Sequence, residues 1–128
     1  MITFKGLKVA ILGLTFKAGT DDLREAPSKD NIKLLLESGA DNIYAYDPVG
    51  EENFKKLYSK EISYVKTPED AIKDANICFI FTEWNEIKNV KPEQYKKLMK
   101  TPLVYDGRNI YDVEEMKKVG IEYYSIGR

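Results

Sequence analysis

A chain of 128 residues is the size of one compact domain, and 43% hydrophobic residues are enough to give it a core. Its 20 basic and 21 acidic residues leave a net charge of −1, which argues against a nucleic-acid or anionic-membrane binder held by bulk charge. With no histidine, one cysteine and no apolar run near the roughly 20 residues of a membrane span, the commonest general base, an internal disulfide, a cysteine-based metal site and a membrane helix all drop out.

The first residues, "ITFKGLKVAILG", carry no apolar region with a cleavage site, so no signal peptide is expected and a cytoplasmic setting is the default. Within them "KVAILG" (8–13) reads as a buried strand, short, rich in branched residues and closed by glycine. "PSKDNIKLLLESG" (27–39) predicts a helix. Pro27 suits its first position, Ile32, Leu35 and Leu36 make an apolar face, and Gly39 suits the stop. A second strand, "NIYAYD" (42–47), is closed by Pro48. A short amphipathic helix (50–60) and a weak strand (62–65) follow. Thr67 as N-cap, Pro68 and Asp70 then predict a helical turn or two over 67–75. "NICFIFT" (76–82) is the most apolar strand and the central one. A helix from Pro92 (91–99), a strand (102–107), a helix ended by Gly120 (112–120) and a last strand (121–126) complete the chain.

Strands alternate with helices six times, and the strands are apolar runs rather than clean alternations. The predicted fold is one α/β domain over 1–128: a doubly wound, mostly parallel, six-stranded Rossmann-like sheet of order 3-2-1-4-5-6 with helices on both faces. Ligands of such sheets sit beyond the carboxyl ends of the strands, where the strand order reverses. Loops 14–25, 82–90 and 106–111 reach that crevice. Two of the chain's three arginines, Arg24 and Arg108, fall in them, against seventeen lysines spread elsewhere and within. So do Trp84, the single tryptophan, and Phe16, Lys17 and Glu83. Arginine's planar fork suits phosphate and carboxylate; the plainer alternative pairs Arg108 with Asp106 or Asp112 and lets Trp84 cap the sheet.

The crevice lacks a dinucleotide fingerprint. After Gly13 the next glycine is Gly19, so G-x-G-x-x-G fails, and no P-loop is present. Asp47 ends the second strand, where a ribose-binding acid would lie; without the glycines its expected job is to cap the turn with Pro48. Cys78 falls in the central strand and reads as a core thiol. Asp21 and Asp22 lack a third ligand at useful spacing and read as braces of their own loop, so no metal site is expected.

"LGLTFKAGTDDLREAP", "YDP", "FTEWNE" and "YDGRNI" occur in this order and together resemble the C-terminal, UDP-binding domain of the UDP-glucose/GDP-mannose dehydrogenase family, over about residues 6–127. "TEW" with "DGR" looks like the UDP-glucose 6-dehydrogenase branch. Ala26 departs from the serine that often precedes the proline in this family. The resemblance implies an NAD-dependent oxidation of a UDP-sugar by a longer enzyme, whose N-terminal NAD domain, central region and catalytic cysteine this sequence lacks. It implies that Phe16, Lys17 and Arg108 meet the UDP-sugar, that Glu83 and Trp84 line the site, and that Arg24 faces the NAD. No residue here inherits a catalytic role. The implied partners are the UDP-sugar and the missing dehydrogenase domains, with a dimer or larger assembly belonging to the full enzyme. The alternative is a stand-alone nucleotide-binding regulatory or scaffold module.

Overall fold

The computed structural model describes residues 4–15 and 27–125. Phe16, Lys17, Arg24 and the Asp21–Asp22 pair lie outside the described residues.

Six strands form one sheet: β1 (Val9–Leu12), β2 (Ile43–Tyr46), β3 (Ile62–Tyr64), β4 (Ile77–Ile80), β5 (Leu103–Asp106) and β6 (Glu122–Ser125). Their order is β3-β2-β1-β4-β5-β6 and every pairing is parallel. This is the expected order, so the reversal of direction falls between β1 and β4. The helices are α1 (Pro27–Glu37), α2 (Glu51–Lys55), α3 (Pro68–Ile72), α4 (Asn85–Lys88), α5 (Pro92–Leu98) and α6 (Val113–Val119).

Local chemistry sets most boundaries. Thr67 caps α3 by accepting from the Asp70 N–H at 3.1 Å, and Asp112 caps α6 by accepting from Glu114 and Glu115. The Gln94 side chain takes the Lys91 N–H at the head of α5, 2.7 Å away. Gly39 and Gly120 close their helices in the left-handed region, with φ of 91° and 95°. Two elements differ from the sequence reading. The helix expected over 50–60 is one turn, α2, and the loop after β4 contains the unpredicted turn α4. Trp84 precedes α4 with no side-chain cap, so the usual start signal is missing there.

Alternate strand residues feed two cores. Val9, Ile11, Ile43 and Ala45 pack with Ile32 and Leu35 of α1 and Phe54 of α2. Ala10, Leu12, Cys78, Ile80 and Val104 pack on the other face with Ile72 of α3, Tyr95 of α5 and Met116 of α6. Both cores draw on β1, which is why its four residues are fully buried.

The crossovers from β3 onward run over the second face. On the first face Ile77 and Phe81 of β4 join the first core, and among the described residues a row of rings rather than a helix continues from Phe79 across β5 and β6. Phe79, Tyr105 and Tyr124 stand side by side in register, with centroids 5.6 and 5.0 Å apart and planes 18° from parallel. Tyr105 and Tyr124 stay 40% and 48% exposed. Helices lie on both faces, as expected.

Candidate functional site

Four strands deliver polar groups to one rim of the sheet, and their chemistry begins with Gly13. Its φ of 94° turns the chain off β1 into Leu14 and Thr15. A Cβ at this position would stand 2.5 Å from the Thr82 Cβ, so the loops after β1 and β4 meet closely only because residue 13 is glycine. The Thr82 hydroxyl donates to the Thr15 carbonyl at 2.6 Å, and the Ser28 hydroxyl at the head of α1 donates to the Leu14 carbonyl at 2.7 Å.

Asp47, just beyond β2, joins the remaining parts. Its Oδ1 accepts from the Val49 and Gly50 N–H groups at 2.9 and 2.6 Å. That is the turn cap expected beside Pro48. Its Oδ2 takes more: the Leu14 N–H at 2.7 Å, the Thr15 N–H at 3.2 Å and the indole N–H of Trp84 at 3.0 Å, with the Thr15 hydroxyl at 3.4 Å. N–H donors on both oxygens satisfy the hydrogen-bonding capacity of this buried carboxyl group. Trp84 is thus no mere lid; it is the strut that ties the loop after β4 to the end of β2.

On the far side of the crevice, Asp106 closes β5. Its carboxylate accepts from the backbone N–H groups of Arg108 and Ile110, both at 2.8 Å, and from the Tyr123 hydroxyl at 2.6 Å. Asp106 therefore holds the Arg108 backbone rather than its guanidinium, and Asp112 is engaged in capping α6. The guanidinium pairs instead with Glu83, Nη2 to Oε1 at 3.0 Å. Arg108 also lines the mouth of a pocket of about 340 Å³ bounded by Asn31, Phe79, Phe81, Tyr105 and Tyr124.

The site residues predicted from sequence that fall on described positions, Glu83, Trp84 and Arg108, come to one rim. Phe16, Lys17 and Arg24 lie outside the described residues. Sequence reasoning missed the reach of Asp47 and Asp106. The signal was present in "YDP" and "YDG", an acid at a strand end followed by a turn residue, but not its number of partners.

Asp47 stands where a ribose-binding acid would lie in a dinucleotide site. Its carboxyl group is occupied by the chain's own N–H groups. Cys78 is fully buried, and burial raises its thiol well above the ordinary value, with Asp106 adding to the shift. Among the described residues, no group of three His, Cys, Asp or Glu side chains could hold a metal ion, and no helix is long and apolar enough to cross a membrane.

A family model described as the UDP-glucose/GDP-mannose dehydrogenase family, UDP binding domain, matches residues 10–113. UDP-glucose 6-dehydrogenase of Rickettsia conorii is 45% identical over 124 residues, covering 96% of this chain and 28% of that protein. UDP-glucose 6-dehydrogenase YwqF of Bacillus subtilis is 42% identical over 123 residues, with the same coverage. Among solved structures, a UDP-glucose dehydrogenase from Pyrobaculum islandicum superposes with a TM-score of 0.76 at 29% identity, covering 95% of this chain and 26% of that one. A UDP-D-ManNAc dehydrogenase from Pyrococcus horikoshii also gives 0.76, at 28% identity, covering 99% and 27%. The chain spans about 28% of the length of these dehydrogenase sequences.

Proposed function

Since the chain belongs to the UDP-glucose/GDP-mannose dehydrogenase family through its UDP binding domain, we propose that it supplies the UDP-sugar half of an NAD-dependent UDP-glucose 6-dehydrogenase. In this reading UDP-glucose is oxidised to UDP-glucuronate by the assembled enzyme. The observation that carries it is Arg108: one of three arginines, it follows β5, the strand beside β4, with its backbone fixed by Asp106 and its guanidinium paired to Glu83 from the loop after β4. A guanidinium so placed gives charge-assisted hydrogen bonds to diphosphate or sugar oxygens. Phe16 and Lys17 join it on the strength of their motif, with Glu83 and Trp84 lining the site.

NAD belongs to the rest of the enzyme, which also brings the nucleophilic cysteine, and Arg24 is assigned to that cofactor by its motif alone. Any dimer or larger assembly belongs to the complete enzyme as well. A single buried cysteine suits a reducing, cytoplasmic compartment.

Titration with UDP and UDP-glucose tests the assignment. Wild type binds both; Lys17→Ala and Arg108→Ala each weaken binding by roughly tenfold or more, the loss typical of a hydrogen bond to a charged group. Equal affinity in wild type and both variants would refute the site. The chain mixed with NAD and UDP-glucose forms no NADH; turnover would show that the catalytic machinery is not held elsewhere.

A further inference from the structure

We infer that Glu83 is a positioning residue for Arg108, rather than a group that touches the nucleotide sugar. The inference rests on the reading of Arg108 as the diphosphate or sugar ligand. Three observations carry it.

Exposure comes first. The Glu83–Arg108 pair leaves the Glu83 side chain 45% and the Arg108 side chain 28% accessible. A pair this wet contributes little to folding, so stability does not explain it. Anchoring comes second. The two side chains spring from loops 25 residues apart, and each loop is fixed next to its charge. Trp84 is pinned to Asp47 and sends its carbonyl to the Ile87 and Lys88 N–H groups of α4. Arg108 and Ile110 are pinned to Asp106. The ion pair closes a ring whose other members cannot shift freely, so it fixes one rotamer of a long, otherwise mobile side chain. Donor count comes third. The bond to Glu83 uses one of the guanidinium's five N–H donors, which leaves a planar fork to offer an anion while Nη2 stays held.

A carboxylate beside a diphosphate also repels it. Two effects therefore oppose each other when Glu83 is removed: Arg108 loses its set orientation, and the anion loses a like charge. The fixed frame on both sides makes orientation the larger effect. Glu83 shares its charge with Arg108, whereas a released arginine must be ordered again at every binding event.

The test is calorimetric titration with UDP of wild type, Glu83→Ala, Glu83→Gln, Arg108→Ala and the Glu83→Ala/Arg108→Ala double variant. Glu83→Ala binds roughly threefold to tenfold more weakly, the cost of ordering one long side chain. Glu83→Gln, which keeps an acceptor oxygen in place, recovers most of the loss. In the Arg108→Ala background the Glu83→Ala change weakens nothing and tightens binding slightly, because only the like charge is left to remove. A side-chain NMR readout separates positioning from a general loss of structure: the Arg108 Nε–H signal is sharp in wild type and broad in Glu83→Ala, with the melting temperature unchanged. Unchanged or tighter UDP binding by Glu83→Ala, with Arg108→Ala still weakened, overturns the positioning role alone. A Glu83→Ala loss that persists without Arg108 overturns it in favour of direct contact. Wild-type affinity in Arg108→Ala overturns the functional reading itself, and the ligand role of the pair with it.

Discussion

Asp47 shows how one side chain can be spent on structure where the fold would let it serve a ligand. Its position at the end of β2 is that of a ribose acid, yet four backbone N–H groups and one indole N–H take both oxygens. Removing it leaves those donors facing a hole, several of them buried. Asp47→Ala is therefore expected to destabilise the domain by about 3 to 5 kcal/mol. Asp47→Asn should fall between, since its amide can serve one set of donors but turns its own N–H groups on the other. Urea unfolding measures both, and a loss under about 1 kcal/mol for alanine would show that the hub is dispensable. Cys78 is the converse case, a reactive element kept inert. Its buried thiol, raised by desolvation, should resist a thiol reagent such as Ellman's at pH 8 until the protein is unfolded. Rapid stoichiometric labelling of the native protein would contradict that placement.

Elements carry the joints between these residues, and Gly13 is the tightest. A side chain there faces two obstacles, a φ of 94° and a Thr82 Cβ at 2.5 Å. Gly13→Ala should cost several kcal/mol, about 3 or more, through strain and displacement of the loop after β4. Near-UV circular dichroism of Trp84 checks it locally, because that loop holds the indole against Asp47; an unaltered spectrum and unchanged unfolding midpoint would sink the idea. The same joint marks what was legible in the sequence. Apolar runs bounded by glycine and proline gave the strands, their number and alternation gave the order, and Thr67 and Gly120 announced their caps. Period and punctuation could not reveal α4, whose first residue follows an uncapped tryptophan. Nor could they assign Arg108 its partner. Asp106, Asp112 and Glu83 were all acids near it in sequence or in fold. The choice turned on Asp106 and Asp112 being engaged by backbone N–H groups. Competition among acids for donors is a three-dimensional quantity, and spacing does not encode it.

At the scale of the molecule, the two faces of the sheet are unequal, and the tyrosines record it. On the first face, Tyr105 and Tyr124 stack on one another and stay exposed. Beneath the helices of the other face, Tyr95 and Tyr111 are buried and share a hydrogen bond of 2.8 Å, and the Tyr111 hydroxyl also meets the carbonyls of Ile87 and Val90. Burial pushes both phenols above the ordinary value: Tyr95 with Tyr111 as its next cause, Tyr111 against a smaller opposing pull from the Tyr95 hydrogen bond. Tyr64 shifts the same way through burial and Glu51. A raised phenol pKa in the folded state means that the native protein holds a proton the unfolded chain gives up. Stability from this source is complete below about pH 10, where unfolded tyrosines remain neutral, and is lost as pH climbs past it toward the folded values. Each such group costs about 1.4 kcal/mol per pH unit, so Tyr95 and Tyr111 together remove roughly 3 kcal/mol per unit from a total of about 5 to 15. The fold should therefore fail abruptly at alkaline pH, above the range where unfolded tyrosines ionise, when the buried tyrosines are forced to give up their protons. Absorbance at the tyrosinate band and far-UV circular dichroism, followed together in an alkaline titration, decide the matter. The exposed tyrosines should titrate first with helix content intact, and the buried ones only as helix content collapses. Reversible ionisation of all nine tyrosines below pH 11 with the fold preserved would show that the Tyr95–Tyr111 core is open to water.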